Sequence, residues 1–457
     1  MPVSPITASL PPLNAAPVTA ETRLAYVLRH FRLAYPGTPN VDVGYAASYA
    51  AITVTDGAGS FFQQNAPYPA APNFRDWSGQ CIPFFFDNEP AAPLLKLSPG
   101  RAIIGTDIVS AAFYLLSGWQ EYFSDTRDRH GRFPYAASVQ QRYGFVAMPV
   151  VNYYFDVLRA AVEHVSGTTL RPRRWTDGAP FAAFISHDID ALGSAWKAPA
   201  KAALQQGRYL RFGQQLWQRL RQSDAWDNLE AVAAAVAGYG AKSTFFILPE
   251  HRPGPDGTPN ADYRITPALR LRLEKLKQQG FEVGLHGSIG TATEAAQMRR
   301  ELETVPPDSQ GLRFHYLRWE PRSTPALVDA SGCFTYDSTL GFAEHFGFRH
   351  SYCLPFYPFD FTTGTAYSFL EIPLNVMDAT LHHPNYLQLN AEDILPALRP
   401  VLAEVEKFGG VASVLWHNDH FDPANTVTGP RQFAEIMGYL QQHGAAFLTG
   451  SQIVAEL

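Results

Sequence analysis

The second half of the chain alternates short apolar runs with longer amphipathic segments. The apolar runs have the length of strands, and the segments between them carry apolar residues at helical spacing. This alternation is typical of parallel strands joined by helices. The pattern predicts seven strands, at Phe181–Ile185, Lys242–Leu248, Phe281–Leu285, Gly311–Leu317, Phe369–Leu374, Val411–His417 and Ala445–Leu448.

The helices predicted between these strands end at glycines, the residues that most often stop a helix. The glycines are Gly240, Gly280, Gly332, Gly409 and Gly444. The helices are predicted at Lys197–Gln222, Asp227–Tyr239, Thr266–Gln279, Thr293–Val305, Thr324–Ser331, Ala391–Phe408 and Pro430–His443. Together the elements indicate a (β/α) barrel of seven strands over residues 181–457.

The first half has a less regular pattern and is expected to form a smaller α/β domain over residues 21–170. Its helices are predicted at Arg23–Tyr35, Asp107–Tyr122 and Val150–Val165, and its strands at Asn40–Thr55, Gly57–Gln64 and Gln80–Asp87. Residues 1–20 are rich in Pro, Ala and Thr and are expected to be a loose tail. The Gly- and Pro-containing residues 171–180 are expected to link the two domains.

Composition narrows the function classes. A chain of 457 residues exceeds one typical core, and its net charge of -6 argues against a nucleic-acid-binding surface. No apolar run is long enough to span a membrane, and Met1–Ser4 does not begin a signal peptide. The three cysteines lack the spacing of a metal site. A reduced, cytoplasmic protein is the simplest interpretation.

Candidate chemistry begins at the end of the first barrel strand, in the sequence FAAFISHDID. Alternate residues of a strand share a face, so Asp188 and Asp190 are expected to project into one place. Sites in parallel α/β folds lie at this carboxyl end of the strands. Taken alone, Asp190 could equally cap the following loop.

Other predicted strands also end in ionisable residues, namely His286, Arg313, His315, Arg318, His417 and His420. A single histidine at a strand end is most often an ordinary core or surface residue, and Arg313 or Arg318 could simply pair with acids such as Glu320. A chance placement of ionisable residues at all of these strand ends is far rarer than a chance placement at one of them. Carboxylates and imidazoles on one rim are ligand chemistry for zinc or a related divalent ion.

A polar, turn-rich segment, Glu121–Pro134, carries several ionisable groups in the first half of the chain. A solvated loop is the favoured interpretation, and a loop that contacts substrate is the alternative.

These motifs resemble those of the polysaccharide deacetylases, the NodB-homology proteins of carbohydrate esterase family four and their relatives. The matching stretches are SHDID (Ser186–Asp190), STFFIL (Ser243–Leu248), EVGLHGS (Glu282–Ser288), GLRFHYLR (Gly311–Arg318) and VLWHN (Val414–Asn418). The resemblance covers about residues 181–457. The first half, with SAAFYLLSGWQEY (Ser110–Tyr122), resembles the uncharacterised domain that precedes this barrel in some bacterial members.

The resemblance implies a distorted seven-stranded barrel that hydrolyses an N-acetyl group of a saccharide with the help of a divalent metal, zinc being expected. By motif, Asp188 is the general base and His417 the general acid, and Arg313 orients the base. Asp190 and His286 are metal ligands.

The sequence departs from the family at Gly290, where the histidine motif usually has its second histidine. Ser288, Thr291, His315 or water could take its place, and His315 is the favoured candidate because it follows the adjacent strand.

Other functions stay open at this point. A related hydrolase of a cyclic amide or ureide and a saccharide-binding barrel without activity are both compatible with the lost histidine. A pure binder needs no acid and base, which favours an enzyme. A glycosidase would require carboxylates on different strands, and Asp188 and Asp190 share one.

Overall fold

The computed structural model describes residues 10–221, 224–306 and 308–457. The first half contains α1 (Ala20–Ala34), β1 (Val43–Tyr45), β2 (Ile52–Val54), β3 (Asn73–Trp77), β4 (Gln80–Phe84), β5 (Leu95–Ser98), β6 (Arg101–Ile104), α2 (Ile108–Leu116), α3 (Trp119–Phe123), α4 (Val139–Arg142) and α5 (Val150–Ser166). Four of the strands form a mixed sheet in the order β1-β2-β6-β5, and β3 pairs with β4 as a separate hairpin.

Some predictions for this half are wrong. Gly57–Gln64 contains a short 3₁₀ helix, Phe61–Gln63, and no strand. The predicted helix Asp107–Tyr122 is two helices, because Gly118 adopts a left-handed conformation with φ of 71° between α2 and α3. The helices predicted at Arg23–Tyr35 and Val150–Val165 correspond to α1 and α5.

The second half alternates strands and helices, as the pattern predicts. It contains β7 (Ala182–Ile189), α6 (Lys197–Gln205), α7 (Tyr209–Arg221), α8 (Leu229–Ala237), β8 (Thr244–Ile247), α9 (Pro267–Gln278), β9 (Glu282–Gly287), α10 (Ala295–Leu302), β10 (Gly311–Phe314), α11 (Thr324–Ser331), β11 (Tyr336–Asp337), β12 (Phe359–Asp360), β13 (Thr365–Ala366), β14 (Leu370–Glu371), β15 (Val376–Met377), α12 (Asp378–His382), α13 (Ile394–Lys407), β16 (Val411–Leu415), α14 (Pro430–Gln442), β17 (Ala446–Phe447) and α15 (Gly450–Ala455).

Nine of these strands form one parallel sheet in the order β14-β11-β10-β9-β8-β7-β16-β15, with β17 beside β7. The sheet curls as in a (β/α) barrel, but it has nine strands rather than the predicted seven. The two additional strands, β11 and β15, have two residues each, too few to show a periodic pattern. Strand β10 ends at Phe314, earlier than predicted, because the chain turns into a 3₁₀ helix at His315.

The two edge strands of the sheet, β14 and β15, are consecutive along the chain. The residues between them cross from one edge to the other. Ile372 donates its backbone N–H to Asp337 on one side, and Asn375 donates its N–H to Ser413 on the other. Tertiary contacts of this segment therefore bring the two ends of the curled sheet together.

The helix predicted at Lys197–Gln222 is interrupted by Gly207, which has φ of +67°, so α6 and α7 form a helical hairpin. Gln222, the predicted end, lies outside the described residues. Among the helices that the structure describes, none combines the length and apolar character that a membrane crossing requires.

The two halves of the chain are held together by buried ion pairs. Arg349 donates from Nε and Nη2 to the Glu121 carboxylate at 2.8 and 2.5 Å, and both side chains are buried. Burial by itself would raise the pKa of Glu121, but Arg349 outweighs it and holds that pKa at about 2. Residues 10–19 are also bonded to the second half, as when Ala16 donates its N–H to the Phe361 carbonyl. The boundary expected at residues 171–180 stays a prediction.

Candidate metal centre and acid-base site

Strand β7 delivers the two acids because its side chains alternate between the faces of the sheet. Asp188 and Asp190 project to one side at its carboxyl end. His187 lies on the opposite face, where its Nδ1 donates to the Trp416 carbonyl at 2.8 Å and its ring contacts Phe245. His187 is therefore a core residue, whereas the side chains of Asp188 and Asp190 face the rim at the carboxyl ends of the strands.

Asp190, His286 and His315 form a group that could hold a metal ion. Asp190 Oδ1 lies 3.4 Å from His286 Nε2 and 3.5 Å from His315 Nδ1. The two ring nitrogens are 3.1 Å apart. Ligand atoms at zinc-bond distances in a tetrahedral site are about 3.3 Å from one another, so the triangle has the size that the ion requires.

The protons of the two histidines are directed away from this triangle. His286 donates its Nδ1–H to the Arg313 carbonyl at 2.9 Å, and His315 donates its Nε2–H to the Pro259 carbonyl at 3.2 Å. When both rings are neutral, the remaining nitrogens present lone pairs to each other. Within the described part of the chain, no donor reaches the buried Oδ1 of Asp190 by hydrogen-bond geometry. Three converging acceptors without a proton between them fit a bound cation.

Electrostatics at the cluster also favour a cation. Burial would raise the pKa of Asp190, but the neighbouring His315, His286 and His417 hold it well below its usual range. Burial would likewise lower the pKa of His286, yet the carboxylates of Asp188 and Asp190 raise it. The pKa of His315 is lowered to about 4, chiefly by burial. Positive charge is therefore stabilised here, and His315 is neutral, as a ligand must be.

Asp188 is oriented by Arg313, which is fully buried. The Arg313 Nη1 donates to Asp188 Oδ1 at 2.9 Å and to Ser186 Oγ at 2.8 Å. Its Nε and Nη2 donate to the carbonyl and hydroxyl of Ser338. The other oxygen of Asp188, Oδ2, lies 3.5 Å from His286 Nε2 and faces the metal cluster. Arg313 therefore occupies one oxygen of Asp188 and leaves the other directed at the site.

His417 lies across the site and is paired with Asp378. Its Nδ1 is 2.7 Å from Asp378 Oδ1, and its Nε2 is 3.8 Å from Asp190 Oδ2. Asp378 begins α12, is fully buried and also accepts the His417 backbone N–H. Burial would lower the pKa of His417, but the Asp378 carboxylate raises it well above its usual range. The Asp378 carboxylate therefore favours the imidazolium form of His417, whose Nε2 faces the site.

The structure brings together all six site residues predicted from the sequence, Asp188, Asp190, His286, Arg313, His315 and His417. The other substitutes considered for the absent histidine are engaged elsewhere. Ser288 accepts the Glu250 N–H, and the Thr291 hydroxyl donates to Glu301. Arg318 pairs with Asp256, whereas Glu320 pairs with Arg127 of the first half.

Gly290 itself has a left-handed backbone with φ of +101°, and a Cβ there would lie 2.6 Å from Gln297 Oε1. A histidine at this position would therefore be strained and would displace Gln297. The local structure is built for glycine.

Asp378 is the functional residue that the sequence analysis missed. It follows β15, which is too short to show a pattern. Its one signal is its position as an acid directly after the apolar stretch IPLNVM.

A second missed feature is a buried carboxyl pair behind Arg313. Asp337 and Glu371 are neighbours in the register of β11 and β14. Burial raises the pKa of Asp337 to about 6, and burial together with Asp337 raises the pKa of Glu371. Both shifts favour one proton held between the two carboxyls.

Comparison with known proteins gives one family match and several similar structures. Residues 22–166 match DUF7033, a family of unknown function. No curated protein matches the chain.

The solved structures that are similar to this chain include polysaccharide deacetylases and an allantoinase by their names. A putative polysaccharide deacetylase from Mycobacterium smegmatis has 18% identity, a TM-score of 0.39, and coverage of 63% of this chain and 93% of its own. A probable polysaccharide deacetylase from Pseudomonas aeruginosa PAO1 has 14% identity, a TM-score of 0.40, and coverage of 62% and 92%. The Puue allantoinase has 15% identity, a TM-score of 0.39, and coverage of 63% and 93%. At these values the function has to be argued from the site itself.

Proposed function

We propose that the protein is a metal-dependent hydrolase that removes the N-acetyl group from a saccharide or small glycoconjugate. One observation carries the proposal. A carboxylate held by a buried arginine and a histidine paired with a buried carboxylate both face one three-residue cluster, since Asp188 Oδ2 lies 3.5 Å from His286 Nε2 and His417 Nε2 lies 3.8 Å from Asp190 Oδ2. Amide hydrolysis needs a base for water, an electrophile for the carbonyl and an acid for the departing amine.

Asp190, His286 and His315 would hold the cation, and we propose zinc because two imidazoles and one carboxylate are a zinc donor set. A bound divalent cation supplies Lewis-acid polarisation of the acetamide carbonyl and makes water easier to deprotonate. Asp188 takes the proton of the attacking water on Oδ2, the oxygen that faces the cluster. Arg313 keeps the carboxylate in place by its bond to Oδ1.

His417 donates the proton that the departing amine needs. Its Nδ1 is bonded to the Asp378 carboxylate, so the available proton is on Nε2, which faces Asp190. The carboxylate favours the imidazolium form and keeps the ring oriented toward the site. An acid and a base that both face the same cluster favour catalysis over saccharide binding alone.

A cytoplasmic location is also proposed. The thiols of Cys81, Cys333 and Cys353 are free, which suits a reducing compartment.

The first experiment measures metal content and turnover together. Elemental analysis should find about one zinc or similar ion per wild-type chain, since the donor set is that of one zinc site, and none in the Asp190→Ala, His286→Ala double variant. The metal-loaded protein should release acetate from N-acetylated oligosaccharides.

The Asp188→Asn variant is the matched control. It removes the base and leaves all three cluster residues, so it should bind metal and release no acetate. Retained turnover in this variant would contradict the role of Asp188. Metal binding with hydrolysis of a cyclic amide or ureide instead of the oligosaccharides would contradict the proposed substrate class.

A further inference from the structure

The third residue of the metal cluster lies on a turn with an unfavourable backbone. His315 is followed by Tyr316 and Leu317, which have φ of 59° and 53°. Two consecutive non-glycine residues in the left-handed region are rare, because the side chain crowds the backbone there. Contacts from outside the turn must therefore compensate for this conformation.

These contacts come from the first half of the chain, from a loop that we call the DRHGR loop (Asp128–Arg132). Arg132 Nη1 donates to the Tyr316 carbonyl at 2.9 Å. The His130 ring stacks on the Tyr316 ring, with centroids 4.9 Å apart and an interplanar angle of 17°. The loop thus contacts both the backbone and the side chain of the residue next to His315.

The DRHGR loop is itself held in shape. The Asp128 carboxylate accepts the backbone N–H groups of His130 and Arg132 and also Nε of Arg132 at 2.7 Å. The Arg132 side chain is 7% exposed. A buried guanidinium fixed by an acid inside its own loop is a rigid support for the turn it contacts.

We infer that the first half positions a metal ligand of the second half, with Arg132 as the positioning residue for His315. The loop lies within residues 22–166, so this inference gives part of the function-unknown family a role. The sequence analysis favoured a solvated loop for this segment, but the loop contacts Tyr316 of the second half through Arg132 and His130. The inference rests on the metal centre of the proposed function.

The test compares two arginines that cross the same boundary. Arg132→Ala removes the support of the turn, whereas Arg127→Ala removes a bidentate pair with Glu320 that does not touch it. Zinc dissociation constants of the full-length proteins are measured by chelator competition. We expect Arg132→Ala to bind zinc about tenfold more weakly, the effect typical of lost outer-shell partners, and Arg127→Ala to match the wild type.

The cobalt-substituted proteins give a second readout. The visible spectrum of Co²⁺ reports its coordination, and it should change in Arg132→Ala but not in Arg127→Ala. Equal zinc affinity in Arg132→Ala and wild type would overturn the inference and leave the proposed function intact. Equal weakening in both variants would also overturn it, as a general docking effect. A wild-type protein without metal affinity would overturn both.

A different observation carries a second inference, on the helical hairpin α6–α7 inserted between β7 and α8. Residues 191–223 contain no Asp or Glu in a chain whose net charge is -6. The same stretch contains Lys197, Lys201, Arg208, Arg211, Arg219 and Arg221. The hairpin is therefore a concentrated basic segment that follows directly after Asp190.

The hairpin also exposes large apolar side chains. Leu210 is 88% exposed, Tyr209 is 71% exposed and Trp217 is 55% exposed. Tyr209, Leu210, Leu216 and Trp217 share one face of α7, whereas Arg211 and Gln214 lie on another. Apolar and aromatic residues on one face with cations on the other are the pattern of helices that lie in the surface of a membrane.

We propose that α7 docks the protein on an anionic lipid surface, with its apolar face in the headgroup boundary and its cations against lipid phosphates. Nucleic-acid binding requires cations but gains nothing from an exposed apolar face. An interfacial helix uses both, so the combination favours a bilayer. This inference does not depend on the proposed function.

The test is co-sedimentation of the full-length protein with vesicles of phosphatidylcholine, with or without about 30% phosphatidylglycerol. We expect at least about tenfold stronger partitioning into the anionic vesicles, lost in Leu210→Glu and in the Arg208→Glu, Arg211→Glu double variant. Leu271→Glu is the matched control, since Leu271 is 58% exposed and belongs to a different helix, α9. No partitioning, equal loss in Leu271→Glu, or binding to duplex DNA in preference to vesicles would overturn the proposal.

Discussion

The histidines on the two sides of the site are the same residue type with different hydrogen-bond partners on the outer ring nitrogen. His286 and His315 donate their outward N–H groups to backbone carbonyls, whereas His417 directs its Nδ1 to the Asp378 carboxylate. A carbonyl fixes the position of the outer proton without adding a full charge, so the inner nitrogen is free to present a lone pair to a cation. A carboxylate stabilises the imidazolium. The outer partner thus decides whether a rim histidine is a ligand or an acid.

His417→Ala is expected to have the largest effect on turnover and should leave metal binding unchanged. Loss of the proton donor should lower kcat by ~10²–10⁴. Zinc content should stay at the wild-type level, because His417 is not part of the cluster. An unchanged kcat would show that another group, such as His420, is the acid.

His315→Ala tests the other side. It removes one of three cluster residues, so zinc affinity should fall by at least about 100-fold, the upper range seen for lost outer-shell partners. Chelator competition measures the change. His420→Ala is the matched control, since His420 lies beside Asp378 and outside the cluster. Similar zinc affinity in His315→Ala and wild type would mean that His315 is not a ligand.

Asp378→Asn should shift His417 from the imidazolium form toward the neutral imidazole. The Asp378 carboxylate raises the pKa of His417, so its removal lowers that pKa and deprotonates the acid at lower pH. The alkaline limb of the kcat/KM profile should move to lower pH, with about a tenfold loss at pH 8 if the pKa falls by about one unit. A profile that keeps its shape would show that Asp378 does not set the charge of His417.

The smallest effect is expected from Glu371→Gln, which changes the buried carboxyl pair of Asp337 and Glu371 and should alter only the pH dependence of stability. The pKa of Asp337 is raised to about 6 by burial, so its contribution to stability is full below its unfolded value and is lost as pH rises through about 6. An amide at residue 371 donates without titrating. The stability of the variant relative to wild type should therefore increase by about 1–2 kcal/mol between pH 5 and pH 8.

Urea unfolding at several pH values measures this difference. Parallel stability profiles for Glu371→Gln and wild type would show that the pair does not share a proton.

Much of the site could be predicted because strand geometry is local. Residues two apart on β7 share a face, and the ends of parallel strands meet on one rim, so Asp188, Asp190, His286 and His417 followed from spacing and motif. The sequence left the third cluster residue open. Ser288 and Thr291 are near Gly290 in the chain, and His315 follows the adjacent strand. Only the folded structure shows that Ser288 and Thr291 are bonded elsewhere.

Other features had no local signal. Asp378 follows a two-residue strand, β15, that exists because a crossing segment brings it beside β16. The predicted strand at Gly57–Gln64 failed for the opposite reason. Its apolar residues pack into an aromatic cluster, in which the Phe62 and Trp119 ring centroids lie 4.8 Å apart, without strand pairing.

The sequence by itself determined the alternation of strands and helices, the pair of acids on one strand face and the presence of histidines at strand ends. These depend on side-chain spacing within a few residues. Only the tertiary structure decided which atoms converge, which histidine is paired with an acid, and that Arg132 contacts the turn of His315. These contacts join residues that are far apart in the chain, and their energies depend on distance and burial in the folded protein.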